Sequence, residues 1–140
     1  MGKLRILHVV SGLSREGGGI SEAVANLAFE AAGQGHQVAV ATVVRAGEVL
    51  SPALERAVAA GVRLVPFPAA RPYAWRFSVA LLLGLGKWVA QSDVVHVHSN
   101  WTFPVWWACR LARSKGKPLV MTPHGCLNPR RLAYSARRKK

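Results

Sequence analysis

At 140 residues and 51% hydrophobic composition, the chain is long enough for one domain with a real core. Its formal net charge of +13 is uneven: nine Lys or Arg stand against six acids through Asp93, then ten Lys or Arg follow with no acid at all. Such a surface attracts polyanions, nucleotide diphosphates or anionic lipid headgroups. A disulfide framework is excluded, because Cys109 and Cys126 are too few and lack the spacing of a metal or redox pair; the usage suits a reducing cytoplasm.

The amino terminus places Lys3 and Arg5 ahead of the apolar residues 6–10, but that run is too short for a signal peptide and no small-residue cleavage site follows. Residues 4–10 instead read as a first strand whose continuous apolarity implies burial on both faces. Residues 20–32 carry Ile20, Val24, Leu27, Ala28 and Ala31 at helical spacing, opposite Glu22, Asn26 and Glu30, and Gly33 and Gly35 end that helix. A second strand is predicted at 38–44. A short helix at 51–60 follows, with Ser51 as cap and Pro52 at its first position. The third strand spans 62–67 and is ended by Pro66 and Pro68.

Residues 73–90 read as one long helix, apolar nearly all round and weakened by Gly84 and Gly86. Its most apolar part, 79–90, contains Lys87 and falls short of the ~20 residues that span a bilayer. A fourth strand at 93–98, a helix at 104–115 and a fifth strand at 119–122 complete the pattern. From Pro129 onward the chain is basic. The expected division is a Rossmann-like domain over 1–128 and a basic tail at 129–140 that begins a truncated helix. Alternating strands and helices with short connections predict a three-layer α/β/α, doubly wound parallel sheet, and the commonest order is 3-2-1-4-5.

That order makes the first and fourth strands neighbours at the point where the chain reverses direction. The loop at 11–19 should then face the turn at 98–101 across a crevice, with His124 brought alongside by the fifth strand. Gly17, Gly18 and Gly19 precede a helix whose free N–H groups and dipole favour an anion, and glycine lets a ligand approach the backbone closely. A plain turn is the alternative. The loop is no P-loop, since no GK[ST] is present. It is also a poor dinucleotide fingerprint, with Arg45 where an acid for the ribose belongs.

Four histidines lie on or just after strands. His8 is mid-strand and reads as structural, and His96 as a hydrogen-bonded core residue. His98, at a carboxyl end, is expected to reach the crevice and donate to a sugar hydroxyl or phosphate, alongside Asn100 and Trp101. The His96-x-His98 spacing can hold zinc, but no third ligand is positioned by the sequence, so no metal is expected. His124, between Pro123 and Gly125, is presented by a tight turn and is the leading candidate for chemistry; capping that turn is its alternative role. Trp106 and Trp107 are adjacent and cannot both face the core, so one packs and the other meets a sugar, a lipid or a partner. No carboxylate follows Asp93, and catalysis at this rim must rest on positioning and charge stabilisation or on groups borrowed from elsewhere.

The series ILHVVSGLSREGGGISEAVANLA, followed by DVVHVHSNWTFPVWWACRLARSKGKPLVMTPHGCLNPR, resembles the N-terminal half of retaining GT-B glycosyltransferases of family 4, the bacterial surface-polysaccharide type. The resemblance runs from about residue 4 to the end. It implies half of a GT-B architecture, with a nucleotide-sugar bound between two Rossmann-like domains and the C-terminal donor-binding domain not contained in these residues. It implies that Gly17, Gly18 and Gly19 approach the donor diphosphate, and that His124 lies near the donor sugar and phosphates. His98, Asn100, Trp101 and Gly125 would line the acceptor side of the cleft. A front-face mechanism, in which the departing diphosphate helps deprotonate the acceptor, fits the shortage of acids.

The implied partners are a nucleotide-sugar, a glycan or lipid-linked acceptor and an anionic membrane surface, with no cofactor and no metal. The implied location is the cytoplasm, peripheral on the inner face of the plasma membrane. Without its second domain the fragment is expected to be inactive. Two other readings stay open: a non-catalytic basic interaction module or subunit of a split transferase, and an NADP oxidoreductase using Arg45. Nucleic acid is disfavoured, because the basic residues are not interleaved with aromatics.

Overall fold

β-branched apolar runs alternate with helical ones along the whole chain, and the computed structural model, which describes residues 2–71, 73–125 and 127–136, arranges them as a Rossmann-like three-layer α/β fold. The strands are β1 (Arg5–Val10), β2 (Gln37–Val44), β3 (Arg63–Pro68), β4 (Val94–His98) and β5 (Leu119–Thr122). They form one parallel sheet in the order β3-β2-β1-β4-β5, as the alternating pattern predicts. The helices are α1 (Gly18–Gly33), α2 (Pro52–Ala59), α3 (Val79–Gln91), α4 (Phe103–Ser114) and α5 (Pro129–Ala136).

Each sheet face has its own core. Leu7, Val9, Val95 and Val97 pack with Leu81, Leu85 and Val89 of α3 and with Phe103, Val105, Ala108 and Ala112 of α4. On the opposite face Val10, Val38 and Val40 pack with Val24, Ala25 and Ala28 of α1 and with Ala53, Leu54 and Ala57 of α2. The buried stripe of α1 is Ser21, Val24, Ala25 and Ala28. Leu27, expected in that stripe, is 46% exposed, because the sheet meets α1 along the small residues one position away. Ser51 caps α2 as expected, its hydroxyl accepting from the Leu54 N–H at 3.3 Å, with Pro52 in the first turn.

Two expectations are corrected. β3 does not stop before its prolines but runs through Pro66 and Pro68, paired with Thr42 and Val44. It is an edge strand, and there a proline's missing N–H removes no ladder bond from the sheet interior. The predicted helix over 73–90 begins only at Val79, where Ser78 Oγ accepts from the Leu81 N–H at 3.1 Å. Ahead of it Tyr73, Trp75 and Arg76 have φ near +60°, a conformation that no right-handed helix accommodates. Arg76 from this loop pairs with Glu48 at 3.3 Å and lies against Gly12, where an added Cβ would come within 3.0 Å of its guanidinium. Gly84, read as a weak point of the helix, is required for packing. A Cβ there would meet the Phe67 ring at 2.9 Å, so α3 can approach β3 only without a side chain.

Candidate functional site at the carboxyl rim

The loops after β1 and β4 meet directly. Ser11 Oγ and Thr102 Oγ1 share a hydrogen bond across the crevice between neighbouring strands, and Thr102 therefore does not cap α4, which it precedes. The β1 loop is held along its length. Ser14 bridges Leu50, the Arg15 N–H donates to Val49 O at 2.8 Å, the Ser51 N–H donates to Leu13 O at 3.0 Å, and Ser21 Oγ donates to Ser14 O at 3.2 Å.

Gly17 ends a short 3-10 turn over Arg15–Gly17, and Gly18 opens α1 with φ +63° and ψ −143°, a combination that only glycine adopts readily. A Cβ on Gly18 or Gly19 would meet nothing within 4 Å. Packing therefore does not require these glycines; the backbone turn requires Gly18, and the space in front of both is open.

β4 and β5 carry the histidines. His8 stands opposite His96 in the β1–β4 register, and His98 stands opposite Thr122 in the β4–β5 register. His8 Nδ1 and His98 Nε2 share a hydrogen bond at 2.8 Å, and His98 Nδ1 and His124 Nε2 share another at 3.0 Å. His96 Nε2 bonds Thr122 Oγ1 at 2.7 Å. His96 and His98 stack with ring centroids 4.1 Å apart. Burial, with the charge repulsion of His96 behind it, lowers His8 to about 4. Burial also pushes His98 down to about 2, reinforced by repulsion from His96, His8 and His124. His96 is lowered as well, by desolvation and then by His124. At neutral pH these three rings are uncharged.

His98, expected to line the cleft, is instead fully buried with both ring nitrogens engaged. The reason is its side of the sheet: it points from β4 into the row already occupied by His8 and His96, and it supports His124 from beneath. His124 is half-buried at the rim with φ +48°, followed by Gly125 at φ +77°. Ser99 and Trp101 also have positive φ, at 70° and 63°, so the turn after β4 and the turn after β5 are both held in a conformation uncommon for residues with side chains. Asn100 lies between them with its side-chain oxygen buried and no hydrogen-bond partner among the described residues, and Trp101 is 63% exposed.

Beyond the rim, Trp106 is exposed and Trp107 is packed against the core, dividing the two roles the sequence predicts. Trp75 joins Trp106 and Phe103, at centroid distances of 5.8 and 5.5 Å, and Arg110 lies over the Trp106 ring at 5.2 Å. Trp75 reaches this group because its loop, with φ +60° at Trp75, departs from the helix that the apolar spacing over 73–90 predicts. Cys109 is half-buried in α4 and burial pushes its thiol up, which disfavours the thiolate; Cys126 lies outside the described residues. A pocket of about 340 Å³ lies at the other end of the sheet, lined by Arg5, Gln37, Arg63 and Trp88 among others. It contains none of the rim residues. No helix among the described residues is long and apolar enough to cross a membrane.

A five-stranded parallel sheet with helices on both faces, its β1 and β4 loops meeting at the carboxyl rim, defines a Rossmann-like α/β protein. Residues 17–140 match Glycosyltransferase Family 4, and the chain belongs to that family, one of glycosyltransferase-type enzymes. No curated protein matches the chain. Among solved structures, a universal stress protein in complex with cAMP is 18% identical, with a TM-score of 0.45 over 86% of this chain and 98% of that one. A universal stress family protein from Burkholderia pseudomallei is 19% identical, with a TM-score of 0.44 over 85% of this chain and 95% of that one.

Proposed function

We propose that the chain forms the acceptor-side domain of a retaining glycosyltransferase that moves a sugar from a nucleotide-sugar to a glycan or lipid-linked acceptor in cell-envelope polysaccharide synthesis. The observation that carries this reading is His124, held at the rim by His98 within the convergence of the β1, β4 and β5 loops. Gly18 and Gly19 leave open space at the amino end of α1, where backbone N–H groups favour a diphosphate. His124 is the group we assign to the reacting sugar and its leaving phosphates, with Asn100, Trp101 and Gly125 beside it on the acceptor side. The absence of any acid after Asp93 suits a reaction in which the leaving diphosphate takes the acceptor proton and the protein stabilises charge. A second Rossmann-like domain supplies most donor contacts in this scheme.

The exposed aromatics Trp75, Trp101 and Trp106, with the cationic Arg110, support an acceptor presented at an anionic membrane on the cytoplasmic side. The test is His124→Ala in the enzyme joined to its donor-binding domain, assayed by nucleoside diphosphate release from a panel of nucleotide-sugars. Turnover should fall by roughly 10²–10³-fold, the scale of losing one preorganised charge-stabilising donor, with the melting temperature little changed. Unchanged turnover removes His124 from the mechanism. The membrane part fails separately if vesicles containing anionic lipid bind no better than neutral ones at moderate salt.

A further inference from the structure

We propose that His8, His96 and His98 form a binding site for one divalent transition metal of the zinc class, on the sheet face beneath the rim. The His96-x-His98 pair lacks only a third ligand in the sequence, and the fold supplies it: parallel pairing of β1 with β4 sets His8 directly opposite His96. One ring nitrogen from each of the three lies within 4.8 Å of the others. Three imidazoles are an established zinc donor set, as in carbonic anhydrase, and leave a fourth position for water or an anion.

The surrounding contacts suit that role. A metal-bound imidazole is normally fixed by an acceptor on its other nitrogen, and two of the three rings already have one. His98 can donate from Nδ1 to His124 Nε2, which leaves Nε2 towards His8. His96 can donate from Nε2 to Thr122 Oγ1, which leaves Nδ1 for the metal. His8 Nε2 is buried without a partner among the described residues, so the hydrogen-bonded cluster leaves one polar atom unsatisfied there. Metal–nitrogen bonds of about 2.0–2.1 Å at tetrahedral angles separate ligand atoms by about 3.3 Å. The His8 and His98 nitrogens, 2.8 Å apart, therefore need to part by only a fraction of an ångström as the metal replaces their shared proton. His96 is only half-buried and provides the entry side. The cluster contains no carboxylate, which selects imidazole-preferring metals over magnesium or calcium.

This site is independent of the glycosyl-transfer reading. Its test is titration of the chelator-stripped chain with Co²⁺, followed by displacement with Zn²⁺. One equivalent should bind with the intense visible absorption of a tetrahedral nitrogen site, and Zn²⁺ should abolish that absorption. His96→Gln, at the half-open position, should weaken binding by roughly 100-fold or more, at least the loss seen on removing an outer partner, with an unchanged circular dichroism spectrum. His36→Gln, which removes the histidine near the opposite end of the sheet, should leave binding intact. The absence of a one-equivalent complex overturns the site, as does binding that survives in folded His96→Gln or disappears in His36→Gln.

Discussion

One face of the sheet is built in two different ways. Over β2 and β3 it is mainly apolar: Val38, Val40 and Leu64 pack with the apolar residues of α1 and α2. Over β1 and β4 the same face carries three imidazoles, His96 stacked on His98 and His8 tilted against both, tied to Thr122 and His124. The aliphatic half depends on volume and on exclusion of water. The imidazole half depends on protonation state, because its rings pack at close distance only while they are neutral. The first anchors the domain, and the second holds His124 at the rim.

The largest effect that separates the halves is volumetric. Leu54 is fully buried between α2 and the sheet, and Leu54→Ala should lower unfolding free energy by about 2–5 kcal/mol at any pH, measured by urea denaturation. Acidification should act on the other half. His8 binds its proton in the unfolded chain near 6.5 but in the folded one only at about 4. Between those values the unfolded state holds more protons, and stability falls as pH falls. At about 1.4 kcal/mol per pKa unit, His8 alone should remove roughly 3 kcal/mol between pH 6.5 and 4, read from melting curves taken with chelator present. A protein whose melting point stays flat through that window would place His8 in water rather than in the row. The smallest effect belongs to the half-open ring. Without metal, His96→Gln keeps a donor for Thr122 and should change stability by no more than about 1 kcal/mol. A larger loss would make His96 part of the core that the aliphatic half represents.

Strand order and most helix positions could be read from the sequence, since apolar period and capping residues such as Ser51 are local signals. The turn at 73–78 could not, because three consecutive turns of apolar spacing hid residues at positive φ that carry no glycine. The histidine row was missed for a different reason. His8 and His96 are 88 residues apart, and only the strand register makes them neighbours; a residue's sheet face can be read from alternation, but its cross-strand partner cannot. The same lack of register made His98 look like a rim residue, when its place is the layer that supports one. The convergence of the glycine loop with the turn after β4 was legible, because topology alone predicts it. The hydroxyl pair that closes it, Ser11 with Thr102, was not.

An open strand edge is a template for a second chain. Among the described residues β5 is the outermost strand on its side and pairs only with β4, with Leu119, Val120 and Met121 between 41% and 46% exposed. Mutual repulsion between copies of this domain, whose 140 residues carry a formal +13, opposes edge-to-edge stacking. That repulsion reaches about 10 Å in 0.1 M salt but only about 3 Å in 1 M. The basic charge thus acts as a colloidal guard over an apolar edge, and concentrated salt lowers it.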